Sequence, residues 1–205
     1  TMAILPYLRL WSTEVCWSAC VLVYRLVMGD KQYLIPSLVM DAAPLIYLAK
    51  LEALDVLAVA AESAVVTPAV LAEVTRPQMA YRHPDAVEIE GAVDRGDLEV
   101  VEISEDEAAH AREIEREVPG LHRGETEVLA VAIARSMPAV IFERRARRVA
   151  GSLGADLIDM TELIVAGMRG LPRTEDRLIR LARLVNLRFD AVAELLERIG
   201  SRRLR

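Results

Sequence analysis

The chain has 205 residues, of which 53% are apolar and 27% charged, with a formal net charge of −6. That length supports one well-buried core and is short for two full domains. The acidic total excludes a protein that coats DNA through bulk positive charge, but it leaves room for an enzyme whose local basic face adjoins an acidic site.

The positive charge is almost all arginine, the lysines being Lys31 and Lys50. Arginine suits bidentate phosphate contacts, although base composition or heat adaptation accounts for most of these residues as well. Both tryptophans (Trp11, Trp17), both cysteines (Cys16, Cys20) and Tyr7, Tyr24 and Tyr33 fall in the first 33 residues. Residues 1–33 therefore read as an extension, either a helix packed on the domain or a partner, or translated sequence upstream of a start at Met28. Two thiols with no second pair make neither a disulfide framework nor a zinc site, which points to a reducing cytoplasm. The apolar stretch Val15–Met28 carries Arg25 and is shorter than the roughly 20 residues that cross a bilayer. It has no convincing cleavage site, so a soluble protein with no membrane partner is expected.

From Leu34 the pattern becomes regular. Leu34–Met40 reads as a buried strand ending at Asp41, and Ala42–Leu57 as one helix with Pro44 near its start. Ser63–Val66 is a second strand. Thr67 and Pro68 form an N-cap and first turn, and the helix Ala69–Thr75 carries Glu73. A loop over Arg76–Pro84 leads to a helix Asp85–Arg95 stopped by Gly96. Leu98–Ile103 is a third strand, followed by helices Glu105–Glu117 and Gly124–Ser136. Ala139–Phe142 is a fourth strand, Arg144–Leu153 a basic helix and Asp156–Ile158 a fifth strand. Helices near 160–169, 174–184 and 188–199 finish the chain. This alternation predicts an α/β fold, a three-layer α/β/α sandwich on a parallel sheet of about five strands. The domain spans 34–172, with a helical tail over 173–205 packed on it.

Sites in such sheets form at the C-terminal ends of strands. Asp41 and Glu143 follow the first and fourth strands, Glu73 lies on the helix after the second, and Glu125 opens the helix before the fourth. Carboxylate oxygens suit Mg²⁺ or Mn²⁺, whereas four carboxylates packed without a cation repel one another. Each also has a local explanation. Asp41 could cap its helix, Glu125 suits a first turn, Glu143 could pair with a nearby arginine and Glu73 could be solvated. Arg144, Arg145, Arg147 and Arg148 beside Glu143 could steer phosphate or form a solvated face, and His122 and Arg123 could touch substrate. Glu127, two residues past Glu125, points elsewhere on a helix by roughly 200°.

The ordered segments Val39–Leu51, Val65–Val74, Leu121–Ala134, Ala139–Gly154 and Arg180–Gly200 resemble PIN domains, specifically a prokaryotic, toxin-like subgroup. The resemblance implies a Mg²⁺- or Mn²⁺-dependent ribonuclease with an RNA substrate, frequent homodimers, and often a toxin role opposed by a small antitoxin. Carried onto this chain, it makes Asp41, Glu73, Glu125 and Glu143 the catalytic metal ligands; Arg123, Arg144 and Arg147, from their places beside Glu125 and Glu143, are the candidate substrate-binding residues. This chain departs from the family pattern in three places. Glu143 stands where aspartate is usual, Ala43 replaces a small hydroxyl residue, and Ile158–Asp159 replace a glycine–threonine pair, which makes Asp159 a further candidate carboxylate. A non-catalytic PIN-like module that binds RNA or protein is the alternative expectation.

Overall fold

The computed structural model describes residues 35–76, 84–167 and 174–184. The extension 1–33, most of the loop at 76–84 and the helix expected at 188–199 lie outside the described residues.

In chain order the elements are β1 (Ile35–Met40), α1 (Ala42–Lys50), α2 (Asp55–Ala60), β2 (Ala61–Val66), α3 (Pro68–Val74), α4 (Pro84–Asp94), β3 (Glu99–Val100), α5 (Glu105–Glu117), α6 (Arg123–Arg135), β4 (Ala139–Val140), α7 (Arg144–Leu153), α8 (Met160–Gly167) and α9 (Thr174–Leu184). The strands form one sheet in the order β3-β2-β1-β4, and every pairing is parallel. Successive residues Leu38, Val39 and Met40 are all buried, as are Ala64, Val65 and Val66. Since neighbouring residues of a strand face opposite sides, helices cover both faces of the sheet.

Three expectations need correction. The sheet has four strands among the described residues, and the expected fifth shrinks to one parallel bridge between Ala139 and Leu157. The third and fourth strands are each two residues long. The single helix expected over Ala42–Leu57 is two helices. The Ala53 N–H bonds to the Leu48 carbonyl and the Glu52 N–H to the Ala49 carbonyl, both at 2.9 Å. This is a Schellman ending that needs a left-handed residue, and Glu52 takes that role at φ 53 in place of the usual glycine. Two arginines of α9 hold the ending. Arg177 donates to the Glu52 carbonyl at 2.7 Å and Arg180 to the Lys50 carbonyl at 2.9 Å.

Helix α6 is the central support, with Gly124–Ala132 buried without a break. Its far end is fixed to α5, where Arg135 grips Glu107 through two bonds of 2.6 and 2.9 Å and donates to the Glu102 carbonyl at 2.7 Å. Glu107 also completes a capping box with Ser104. The Arg135 hydrogen bond chiefly holds the Glu107 carboxyl down at about 2. A carboxylate depressed in the folded state adds stability above its unfolded pKa and loses it as pH falls through the folded value. Arg135 is about one-third exposed, so solvent screening trims the effect. Glu107→Gln therefore lowers unfolding free energy by about 2 kcal/mol at pH 7. The difference from wild type shrinks as pH falls below 4 toward 2, which urea unfolding at stepped pH checks.

Candidate functional site

The strand order locates a crevice. The chain moves outward from β1 through β2 to β3, then returns to the other side of β1 to lay down β4. Strand order thus reverses between β1 and β4, and ligand crevices of open parallel sheets lie at the carboxyl ends of such a pair. Asp41 and Glu143 immediately precede the helices that leave these two strands. The Asp41 N–H still bonds to the Val140 carbonyl at 3.1 Å, so the two strand exits are held side by side.

Asp41 is 5% exposed and makes no capping hydrogen bond across the first turn of α1, so helix capping does not explain its presence. Burial pushes its carboxyl up to about 6. The Ala42 N–H at the helix start works against that rise, Glu73 and Glu143 add to it through their charge, and His122 partly relieves it. Glu125 is 6% exposed. Burial first, and then a hydrogen bond with the Glu143 carboxyl, push its pKa up, with a further repulsion from Asp41. The approach of the Glu143 carboxyl thus adds to the effect of burial on Glu125. Glu125 also accepts the His122 N–H at 2.7 Å, which fixes it to the start of α6.

Glu73 comes from the other side. A Cβ added to Gly124 would lie 3.3 Å from the Glu73 carboxylate and 3.1 Å from the Val70 side chain. Glycine at 124 thus lets the start of α6 close onto α3. The structure brings Asp41, Glu73, Glu125 and Glu143 into one neighbourhood. Among the described residues, no three Asp, Glu, His or Cys side chains are already gathered tightly enough to surround one ion. Their chemistry fits a cation all the same: two buried carboxyls carry raised pKa values and two further carboxylates repel them. Hard divalent ions with oxygen preference relieve such a set.

The remaining candidates divide. Glu127, 5% exposed, points away from Glu125, accepting the Ala69 N–H at 3.0 Å and Arg123 Nε at 2.9 Å. Pro68 has no N–H, Thr67 accepts the Val70 N–H and Glu127 takes the Ala69 donor between them, so the first turn of α3 is satisfied. Glu127 thereby ties the helix that carries Glu125 to the one that carries Glu73. Glu127→Ala removes that acceptor and costs about 1–2 kcal/mol in urea unfolding, whereas Glu127→Gln retains an acceptor and costs less. Arg147 donates to the Ile141 carbonyl at 3.0 Å and pairs with Asp159 at 3.3 Å, so both brace the strand exit. Arg145 donates to the Pro119 carbonyl. Arg144 is exposed at the start of α7. Sequence reasoning missed the bracing role of Glu127, the close approach at Gly124, and the contact between Tyr47 and Phe142, whose rings lie 5.1 Å apart. The scarcity of aromatics after residue 33 was the available signal for that contact.

A family model described as a PIN domain matches residues 37–184. Among solved structures, the chain is similar to the crystal structure of VapBC2 from Rickettsia felis bound to a DNA fragment from their promoter. The identity is 14% over 60% of this chain and 98% of that chain, with a TM-score of 0.43, too distant a likeness to carry function. No curated protein matches the chain. Among the described residues, no helix is long and apolar enough to cross a membrane.

Proposed function

The chain belongs to the PIN-domain family, and from that premise we propose that it is a Mg²⁺- or Mn²⁺-dependent endoribonuclease. The observation that carries this reading is the meeting of Asp41, Glu73, Glu125 and Glu143 at the β1–β4 reversal, with Asp41 and Glu125 buried beside other carboxylates. Asp41, Glu125 and Glu143 would hold the ion directly, and Glu73 would do so directly or through a water. An ion held there would supply a lowered pKa for a water and would neutralise charge developing on the phosphate.

The chain's own groups do the rest. The β1 and β4 exits set the spacing of Asp41 and Glu143. The His122 N–H orients Glu125, and Glu127 keeps Glu73 facing the start of α6. Glu73, half-buried, would take a proton from the attacking water. The exposed Arg144 at the start of α7 would attract the phosphate backbone, while Arg123, also exposed, is paired with Glu127. Attack of water on phosphorus would then break the phosphodiester P–O bond, leaving a phosphate on one fragment and on the other an oxygen that takes up a proton from solvent.

The toxin role common in this family makes a small antitoxin and a second copy of the chain the proposed protein partners, and the cytoplasm the proposed compartment. Purified protein incubated with labelled single-stranded RNA tests the reading. Cleavage that requires Mn²⁺ and disappears in Asp41→Asn supports it. Metal binding without cleavage across several RNAs moves the assignment to a non-catalytic module, with Glu143 the first residue to revert to aspartate.

A further inference from the structure

Tyr47 and Phe142 are the only Phe, Tyr or Trp side chains among the described residues, and they touch each other. Their ring centroids are 5.1 Å apart, with the planes tilted by 48°. Phe142 is 40% exposed and immediately precedes Glu143. Tyr47 sits on α1, roughly 9 Å of helix beyond Asp41. The pair therefore bridges the two elements that carry Asp41 and Glu143.

An exposed apolar residue alone is ordinary. Here the exposed ring belongs to the one aromatic pair among the described residues, and its residue immediately precedes Glu143 in the chain. Exposed Arg144 follows two residues later, with exposed Arg148 one turn further along α7. Tyr47 supports the Phe142 ring from one side, so little side-chain freedom is lost when the other side is covered. A flat ring, a nearby cation and an acidic centre match, in order, a base, its phosphate and the bond to be cut.

We propose that Phe142, backed by Tyr47, is a stacking surface for an unpaired nucleobase next to the scissile phosphate. The inference deepens the ribonuclease reading and rests on it for the place of the cut. A base inside a duplex has both faces covered by its neighbours and cannot use the ring, which makes Phe142 a specificity-determining residue.

The test measures binding separately from cleavage. The full chain is titrated, in buffer with EDTA, into a short fluorescein-labelled RNA as a single strand and as a duplex, and anisotropy is read. Phe142→Leu keeps apolar bulk without a π-face, and Phe142→Trp keeps the face. The expected result is about tenfold weaker single-strand binding for the leucine variant, recovery with tryptophan, little change for duplex, and unchanged Mn²⁺ binding by calorimetry. Equal single-strand binding by wild type and Phe142→Leu would overturn the proposal. So would a leucine variant that changes only the sedimentation behaviour of the chain, which would assign the ring to a protein interface. If wild type fails to cut RNA with Mn²⁺ while the Phe142 dependence of binding holds, the nuclease reading fails and the stacking surface stands.

Discussion

Asp41→Asn makes the metal-free protein more stable at pH 8 while abolishing RNA cleavage. Burial raises the Asp41 carboxyl from the ordinary 3.8 to about 6, with Glu73 and Glu143 adding repulsion. A carboxyl raised in the folded state binds its proton more tightly there than in the unfolded chain. The folded state therefore loses stability as pH climbs from about 4 through 6. Two pKa units at about 1.4 kcal/mol each correspond to about 3 kcal/mol. Asparagine keeps the shape and an acceptor for the Ala42 N–H without the buried charge. Urea unfolding at pH 8 with EDTA should show the variant ahead by up to about 3 kcal/mol, and the gap should close toward pH 4. Added Mn²⁺ should reverse the order, because wild type alone gains the linked binding energy. A variant less stable than wild type at pH 8 without metal would show that Asp41 serves the fold.

Arg177→Ala should lower unfolding free energy by about 3–5 kcal/mol. Its guanidinium is 10% exposed and pairs with Asp55, 15% exposed, at 3.1 Å, and it also donates to the Glu52 carbonyl at 2.7 Å. Burial raises the Asp55 carboxyl even with Arg177 in place, and its Oδ1 has no hydrogen-bond partner. Losing the arginine leaves a carboxylate buried without its counter-ion and the left-handed turn at Glu52 without its brace. The double variant Arg177→Met, Asp55→Leu should recover much of the loss, since an apolar pair carries no desolvation penalty. Denaturant unfolding of the three variants checks this, and a single variant within 1 kcal/mol of wild type would show that α9 adds little to the domain.

What could be read from the sequence follows from how much of each element is local. Buried parallel strands read as continuous apolar runs, which gave away Leu38–Met40 and Ala64–Val66 and, just beyond them, Asp41 and the Thr67–Pro68 helix start. The Gly124–Glu125 opening of α6 was visible for the same reason. The break after α1 was hidden, because its left-handed residue is a glutamate and two of the groups that hold it sit at Arg177 and Arg180, far along the chain. The two-residue strands β3 and β4 end where pairing partners end, which apolar patterning does not encode. The pairing of Asp159 with Arg147 is a contact between separate elements that the sequence does not reveal. Glu127 was correctly read as pointing away from Glu125, but its hold on Ala69 is a tertiary contact that periodicity does not reveal.

The most direct test of the central claim is calorimetric titration of Mn²⁺ into wild type and Asp41→Asn near pH 7, repeated in buffers of different ionisation enthalpy. Burial and neighbouring carboxylates raise both Asp41 and Glu125, so the protonated fraction of each must ionise for carboxylates to bind an ion. Wild type should therefore bind Mn²⁺ with release of roughly half a proton, mostly from Glu125, and Asp41→Asn should bind far more weakly. No binding, or binding that Asp41→Asn leaves intact, would contradict the assignment of these carboxylates to a metal centre.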